Sequence, residues 1–295
     1  MKGHGMRIGF TAAFLISAVV VLAAQAPGAP TKQRNGKISF WGDRDPTRTS
    51  IFVMNADGTN VRDLGRGMYS AKRADWSPDG KLIAFDGRDY PDNPTLDDFD
   101  IFVARADGSR RRKITRGPAR DVMPSWSPDG RLIAFARTST ERGVPELWIV
   151  GADGKGARRL ARRGYFPAWS RDGRTIAFSG RAGIEVIDVA GTGRRSLAAA
   201  EEGHAWSPDG RRLVFTRGGD IWVMRADGSG QRRLTESPAE DIAADWSPDG
   251  RLILFTSDRA GNKDVWVMQA DGSDLRRVTR HPANENATSW QPVVG

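Results

Sequence analysis

A tryptophan followed by Ser-Pro-Asp-Gly recurs along the chain, and this repeat limits the available folds more than any other feature. Four full copies and one Ser-Arg-Asp-Gly variant precede a truncated Trp-Gln-Pro, and they begin at Trp76, Trp126, Trp169, Trp206, Trp246 and Trp290. Successive tryptophans lie 50, 43, 37, 40 and 44 residues apart. A repeat of this length is typical of propellers and of linear arrays of supersecondary units.

Each repeat has the pattern of four short strands. In the repeat that begins at Trp76, an apolar run at residues 81–85 follows the Asp-Gly at 79–80. A second run at 101–103, an Asp-Gly turn at 107–108 and a last run at 110–115 come next. The middle runs are apolar on both faces, which indicates strands packed between neighbouring sheets. Asp-Gly between two such runs is a strong hairpin signal. A four-stranded unit repeated around an axis is a propeller blade.

The two ends of the repeat region predict how the ring closes. Residues 35–40 match the second strand of a blade, whereas residues 286–292 match a first strand without the rest of its blade. An open array would leave unpaired edges at both ends. We therefore predict an all-β fold over residues 35–295. It is a six-bladed propeller of four-stranded antiparallel blades, in which the C-terminal strand completes the N-terminal blade.

The first 34 residues differ from the rest. Lys2 and Arg7 precede an apolar run at residues 8–24, and small residues follow up to Ala26. This order of charged, apolar and small residues predicts a secretory signal peptide at 1–26 and a short linker at 27–34. Cleavage after Ala24, or an uncleaved segment that anchors the chain in a membrane, is left open. We expect an exported protein, periplasmic or extracellular, whose only membrane contact is such an uncleaved segment.

Composition excludes several classes of site. The chain has no cysteine and 3 histidines, so it forms no disulfide, thiolate metal site or cysteine nucleophile, and a histidine-rich metal centre is not expected. Its 45 Lys and Arg outnumber 36 Asp and Glu. Arginine pairs in the predicted fourth strands would protect blade edges, or alternatively attract an anionic polymer. Nucleic acid is not expected as a partner, and we expect a monomer.

The full repeat, Trp-Ser-Pro-Asp-Gly, Ile-Ala-Phe, Ile-Trp-Val-Met, Ala-Asp-Gly-Ser and Arg-Arg-Leu-Thr, resembles that of the TolB-like β-propeller family. The resemblance extends over essentially all of residues 35–295. It implies the propeller fold and a binding or scaffold role in the cell envelope. The N-terminal α/β domain that accompanies the propeller in TolB itself is not expected here, because residues 27–34 leave no room for it.

Binding is expected on the face that carries the variable loops. The residues five positions before each motif tryptophan are Ala71, Asp121, Gly164, Glu201, Asp241 and Glu285. Repeat symmetry would place the four acidic ones, Asp121, Glu201, Asp241 and Glu285, around the mouth of the central channel. There they would bind a cation, an amine or a basic peptide. The alternative is that they pair with nearby arginines such as Arg73, Arg120 or Arg163.

The loop at residues 86–100 is rich in carboxylates, which are calcium ligands, but its spacing matches no EF-hand loop. We expect no cofactor, with calcium as the alternative. No Gly-x-Ser-x-Gly motif of a hydrolase is present. The sequence therefore favours a non-catalytic propeller that binds an envelope protein or an anionic or carbohydrate polymer. The alternative is a carbohydrate hydrolase or lyase, or a cation-dependent binder, that uses the acidic residues at the channel mouth.

Overall fold

A computed structural model describes Met1 and residues 35–89, 98–139, 143–199 and 202–293. These residues form 24 β-strands and no helix, so the described part of the chain contains no helix that could cross a membrane. The predicted signal peptide and linker fall almost entirely on residues 2–34, outside the described residues.

The strands follow one another in short antiparallel units. The first eight are β1 (Ile38–Asp45), β2 (Arg48–Met54), β3 (Arg62–Asp63), β4 (Ser70–Trp76), β5 (Leu82–Arg88), β6 (Asp100–Arg105), β7 (Arg112–Lys113) and β8 (Arg120–Trp126). The next eight are β9 (Leu132–Thr138), β10 (Glu146–Gly151), β11 (Arg158–Arg162), β12 (Tyr165–Trp169), β13 (Thr175–Gly180), β14 (Gly183–Asp188), β15 (Arg195–Ala198) and β16 (Glu202–Trp206). The last eight are β17 (Arg212–Arg217), β18 (Asp220–Arg225), β19 (Arg232–Arg233), β20 (Asp241–Trp246), β21 (Leu252–Ser257), β22 (Asp264–Gln269), β23 (Arg276–Arg277) and β24 (Glu285–Trp290).

The all-β propeller is confirmed, but the prediction of six separate four-stranded blades is wrong. Four sheets are separate four-stranded blades: β8–β11, β12–β15, β16–β19 and β20–β23. The other eight strands form one sheet in the order β24-β1-β2-β4-β5-β6-β7, with β3 beside β2. Thr49 of β2 and Ser70 of β4 make the parallel contact that joins its two halves. Residues 46–47 form a short turn between β1 and β2, so β2 begins at the end of the sheet where β1 finishes. Strand β4 begins at the same end, which brings the first residues of β2 and β4 together.

The C-terminal strand pairs with the N-terminal strand as predicted. Strand β24 lies antiparallel to β1, with Trp290 opposite Ile38 and Ser289 opposite Ser39. Beyond the strand, the Gln291 backbone N–H donates to the Lys37 carbonyl at 2.7 Å, and the Gln291 side-chain amide donates to the Gly80 carbonyl at 2.8 Å. The two ends of the described propeller are therefore held together by a hydrogen-bonded sheet.

The Ser-Pro-Asp-Gly turns explain why this sequence repeats. At the first turn the Ser77 hydroxyl donates to Asp79 at 2.6 Å, and the backbone N–H groups of Lys81 and Leu82 donate to Asp79 and Ser77. Gly80 has a φ of 66°, a left-handed conformation that favours glycine. The hydroxyl, the carboxylate and the glycine each satisfy one requirement of a tight turn, so the turn tolerates little change.

The cores lie between neighbouring sheets. The phenylalanines of the second strands are fully buried at Phe40, Phe85, Phe135, Phe178, Phe215 and Phe255. Trp126 belongs to one buried cluster with Ala84 and Ile101 of the preceding unit and Phe135 of its own. The indole N–H of Trp169 donates to the Ser125 carbonyl at 3.1 Å, across two sheets. The repeated tryptophans therefore join adjacent sheets, which accounts for their spacing.

Candidate functional site

A central cavity of about 640 Å³ runs between the first strands of the repeats. It is lined by residues of β4, β8, β12, β16, β20 and β24, the six strands that end in the motif tryptophans. These strands all run in the same direction through the ring. Their N-terminal ends meet the variable loops, and their C-terminal ends meet the Ser-Pro-Asp-Gly turns. The cavity therefore has two mouths. Loops of variable sequence border one of them, which we call the variable mouth, and the uniform Ser-Pro-Asp-Gly turns border the other.

A β-bulge interrupts five of these six strands, all but β24, at the same place, three residues before the tryptophan. Arg73, Met123, Phe166, Gly203 and Ala243 have φ values of 45°, 58°, 50°, 60° and 55°. The strand pairing shifts register at each of these points. Non-glycine residues with positive φ are strained, and bulges re-aim the neighbouring side chains. The bulges lie on the variable-mouth side of the cavity and set which side chains line it there.

Four half-buried apolar side chains line the cavity near this mouth, and we call Trp41, Tyr165, Phe166 and Ile242 the mouth cluster. The rings of Tyr165 and Phe166 are 4.8 Å apart at 83° to each other. The Lys72 ammonium lies 5.2 Å from the centre of the Trp41 ring. Burial lowers the pKa of Lys72 from its ordinary value. The mouth thus combines apolar surface with cationic groups.

Two carboxyl groups face the interior of the cavity. Asp75 and Asp245 immediately precede their tryptophans and are half-buried. Each accepts a backbone N–H from the next first strand, Asp75 from Trp126 at 2.7 Å and Asp245 from Trp290 at 3.0 Å. Burial raises the pKa of both to about 7, and the Asp245 charge further raises that of Asp75. They join adjacent first strands and titrate near neutrality.

His204 is the described histidine at the cavity. It is buried, and burial lowers the pKa of its imidazole to about 4, against an opposing effect of the Ala177 backbone. Within the described part of the chain, neither ring nitrogen has a hydrogen bond of normal geometry. Over those same residues, no three His, Cys, Asp or Glu side chains are grouped so that they could hold a metal ion.

The structure places three of the four predicted acidic residues in ion pairs rather than at the cavity. Asp121, Asp241 and Glu285 are almost completely buried and do not line the cavity. The Arg137 guanidinium contacts both oxygens of Asp121 at 2.7 Å, Arg259 contacts Asp241 at 2.6 Å, and Arg44 contacts Glu285. Glu201 lies outside the described residues. Ligand binding by these four residues stays a prediction.

The partners of these carboxylates also differ from the arginines that we expected. The partners Arg44, Arg137 and Arg259 lie at or just after the end of the adjacent second strand. Arg73 instead lies 3.4 Å from Asp86. Antiparallel pairing brings the start of one strand beside the end of the next, so a register neighbour is closer than a residue that is near in sequence.

A second set of acidic residues begins the third strands. Asp100, Asp220 and Asp264 are buried, and each is paired with a fourth-strand cation, Lys113, Arg233 or Arg277. The hydroxyls of Thr115, Thr235 and Thr279 donate to these carboxylates and accept a backbone N–H. The repeated Leu-Thr of the sequence, or its close variants, thus supports the rim of the sheets rather than a ligand site.

A family model described as the TolB beta propeller domain matches residues 94–199 and 165–293 of the chain. The chain belongs to this family. As in other repeat proteins, the two overlapping matches reflect the internal repeat of the TolB propeller. No curated protein matches the chain.

Several solved structures share the TolB propeller fold. TolB from Acinetobacter baumannii has a TM-score of 0.70 at 19% identity, over 88% of this chain and 67% of that one. A putative TolB from Agrobacterium tumefaciens has a TM-score of 0.65 at 22% identity, over 86% and 91%. An oligogalacturonate lyase in complex with manganese has a TM-score of 0.55 at 19% identity, over 82% and 74%. At these identities the likeness concerns the fold.

Sequence reasoning missed most of the residues that line the cavity of this TolB propeller. Asp75 and Asp245 occupy the position before the tryptophan, where the other repeats have Ser or Ala. That contrast was a usable signal, because aspartate is rarely buried without a partner. Ile242 had no comparable signal, since the bulge that directs it to the mouth depends on backbone conformation. Trp41, which lies outside the tryptophan repeat, is half-buried at the mouth.

Proposed function

We propose that this TolB-family propeller is an exported, non-catalytic binding protein of the cell envelope, and that its mouth cluster recognises a segment of a partner protein. The observation that carries the proposal is the group of four half-buried apolar side chains at the variable mouth of the cavity. Apolar side chains that stay partly in water at a concave opening are typical of binding sites.

The shape of the mouth supports a protein segment as the ligand. The apolar side chains are recessed at a cavity of about 640 Å³, which a chain segment can enter but a flat membrane cannot. The perpendicular rings of Tyr165 and Phe166 do not form a flat platform for a sugar ring. Lys72 covers part of one face of Trp41. An apolar anchor residue of a partner fits this arrangement better than a carbohydrate does.

A binding role is also favoured over catalysis by the state of the acidic residues. The three described carboxylates that were predicted at the mouth, Asp121, Asp241 and Glu285, are each held by an arginine. A carboxylate held in such a pair is a poor general base, because the positive charge stabilises its ionised form. The export half of the proposal rests on the charged, apolar and small residues at 1–26.

Site-specific photo-crosslinking tests this proposal in the native cell. We would replace Tyr165 with a benzophenone amino acid and, as a control, place the same group at the exposed Ser229 on the opposite face. We expect a discrete protein adduct from position 165 that is absent from position 229. Equal adducts from both positions, or none from 165 in cells that produce folded protein, would refute binding at the mouth. Cell fractionation of the same strain tests export.

A further inference from the structure

Positive charge is concentrated on one side of the propeller. Residues 101–199 contain twenty Lys and Arg and nine Asp and Glu, whereas residues 35–100 and 200–295 together contain twenty-one and twenty-seven. The net positive charge of the propeller therefore lies in the middle of the chain. The second half of this segment includes β11 and the sheet β12–β15.

Three arginines of this segment lie beside the mouth. Arg162 ends β11, Arg163 leads to Tyr165 through Gly164, and Arg181 lies in the turn between β13 and β14. All three are exposed, and none pairs with an acidic side chain among the described residues. We call these three residues the arginine patch. It borders the two aromatic members of the mouth cluster that β12 carries.

Local contacts hold the patch in one place. Arg194 donates to the Arg162 carbonyl at 2.9 Å and pairs with Glu185, which in turn accepts the Ala182 backbone N–H at 3.2 Å. This series of contacts connects the end of β11 to the turn that carries Arg181. The backbone that carries the patch is thus cross-linked, which keeps the three arginines beside the mouth.

The turns beside the patch are short. The turns β13–β14 and β17–β18 consist of residues 181–182 and 218–219. A segment that enters the mouth from this side would cross tight turns, one of which carries Arg181, before it reaches Tyr165 and Phe166.

We infer, on the basis of the proposed function, that the recognised segment is an acidic peptide that crosses the arginine patch and inserts an apolar residue into the mouth cluster. Arginine forms charge-assisted, often bidentate hydrogen bonds with carboxylates. Charge complementarity of this kind sets orientation and association rate, while the buried anchor supplies most of the affinity. The patch and the cluster together specify an extended segment with acidic residues on one side of an apolar anchor.

The test uses the propeller and two defined peptide pools. One pool contains fluorescein-labelled dodecapeptides with one tryptophan preceded by four aspartate or glutamate residues, and the other replaces these by asparagine and glutamine. Fluorescence anisotropy would measure binding at low salt and at 0.15 M, where charges are screened over about 8 Å. We expect the acidic pool to bind at least about tenfold more tightly at low salt, and salt to reduce the difference.

Two triple variants show whether the patch causes the preference. R162E/R163E/R181E should abolish the preference for the acidic pool, and the milder R162Q/R163Q/R181Q should reduce it. The control R211E/R225E/R251E makes the same charge change at exposed arginines on the opposite face and should keep the preference. Circular dichroism would confirm that each variant folds. A preference that survives in both patch variants would overturn the inference.

Two competitors distinguish other sources of negative charge. If polygalacturonate or vesicles of phosphatidylglycerol bind the patch more tightly than the acidic pool, the peptide assignment is wrong. If no pool binds but position 165 still crosslinks to a partner in cells, the inference fails while the proposed function stands. If the acidic pool binds through the patch and no crosslink forms at 165, then the patch is an acidic-peptide site and the proposed function fails.

Discussion

The two carboxyls inside the cavity allow a direct test of its electrostatics. A pKa of about 7 for Asp75 and Asp245, against the ordinary 3.8, corresponds to at most about 4 kcal/mol per carboxyl. Both groups are half-buried, so solvent screening leaves about 1 to 2 kcal/mol each. Between about pH 4 and pH 7 the folded chain binds more protons at these groups than the unfolded chain does. Their contribution to the free energy of unfolding therefore decreases as the pH rises.

The double variant Asp75→Asn and Asp245→Asn removes this ionisation but keeps a carbonyl oxygen that can accept the Trp126 and Trp290 backbone N–H groups. We expect it to be more stable than the wild type by about 2 to 4 kcal/mol at pH 8, and equal to it near pH 4. Urea unfolding followed by tryptophan fluorescence measures both values. The control Asp274→Asn, at an exposed turn, should change stability little at either pH.

The reasoning is refuted if the double variant gains nothing at pH 8, or if it gains the same amount at both pH values. The first result would mean that the carboxyls are well solvated in the folded chain. The second would mean that the gain comes from packing or hydrogen bonding rather than from ionisation.

Two further predictions concern the structure that supports the site. Trp290→Ala should destabilise the propeller by about 3 to 5 kcal/mol, because it removes a buried indole from the strand that closes the ring. Thermal unfolding measures this change in stability. A loss below about 1 kcal/mol would contradict closure by β24. Asp121→Asn should destabilise by about 1 to 3 kcal/mol because it leaves Arg137 without its bidentate partner. The double variant Asp121→Asn and Arg137→Met should recover part of that loss, and its failure to do so would show that Asp121 acts through contacts other than Arg137.

The repeats predicted the strands and the closing pair of ends, because both follow from local patterns. The turn chemistry of Ser77 and Asp79 and the alignment of residues 35–40 with 286–292 were visible in the sequence. The pairing of Thr49 with Ser70 was not, since it depends on where two strands begin in space. That contact joins β1–β7 and β24 into one sheet and overturned the predicted set of separate blades.

The candidate site was predicted less well than the fold. Counting five positions back from each motif tryptophan selected Asp121, Asp241 and Glu285. It could not show that arginines at the ends of neighbouring strands would pair with them. The bulges at Arg73 and its equivalents change which side chains reach the cavity. Residue types such as Met and Phe at these positions do not indicate the positive φ that forms a bulge. Calcium binding by the acidic loop at 86–100 stays a prediction, because part of that loop lies outside the described residues.

Occupation of the mouth in the living cell tests the central claim most directly. The chain has no cysteine, so Ile242→Cys at the mouth and Ser229→Cys on the opposite face each supply a single thiol. Labelling with a maleimide would be compared between intact cells and the purified protein. We predict that the thiol at 242 reacts at least about tenfold more slowly in cells than in the purified protein, while the thiol at 229 reacts equally in both. Equal rates at 242 would show that no partner occupies the mouth and would contradict the account.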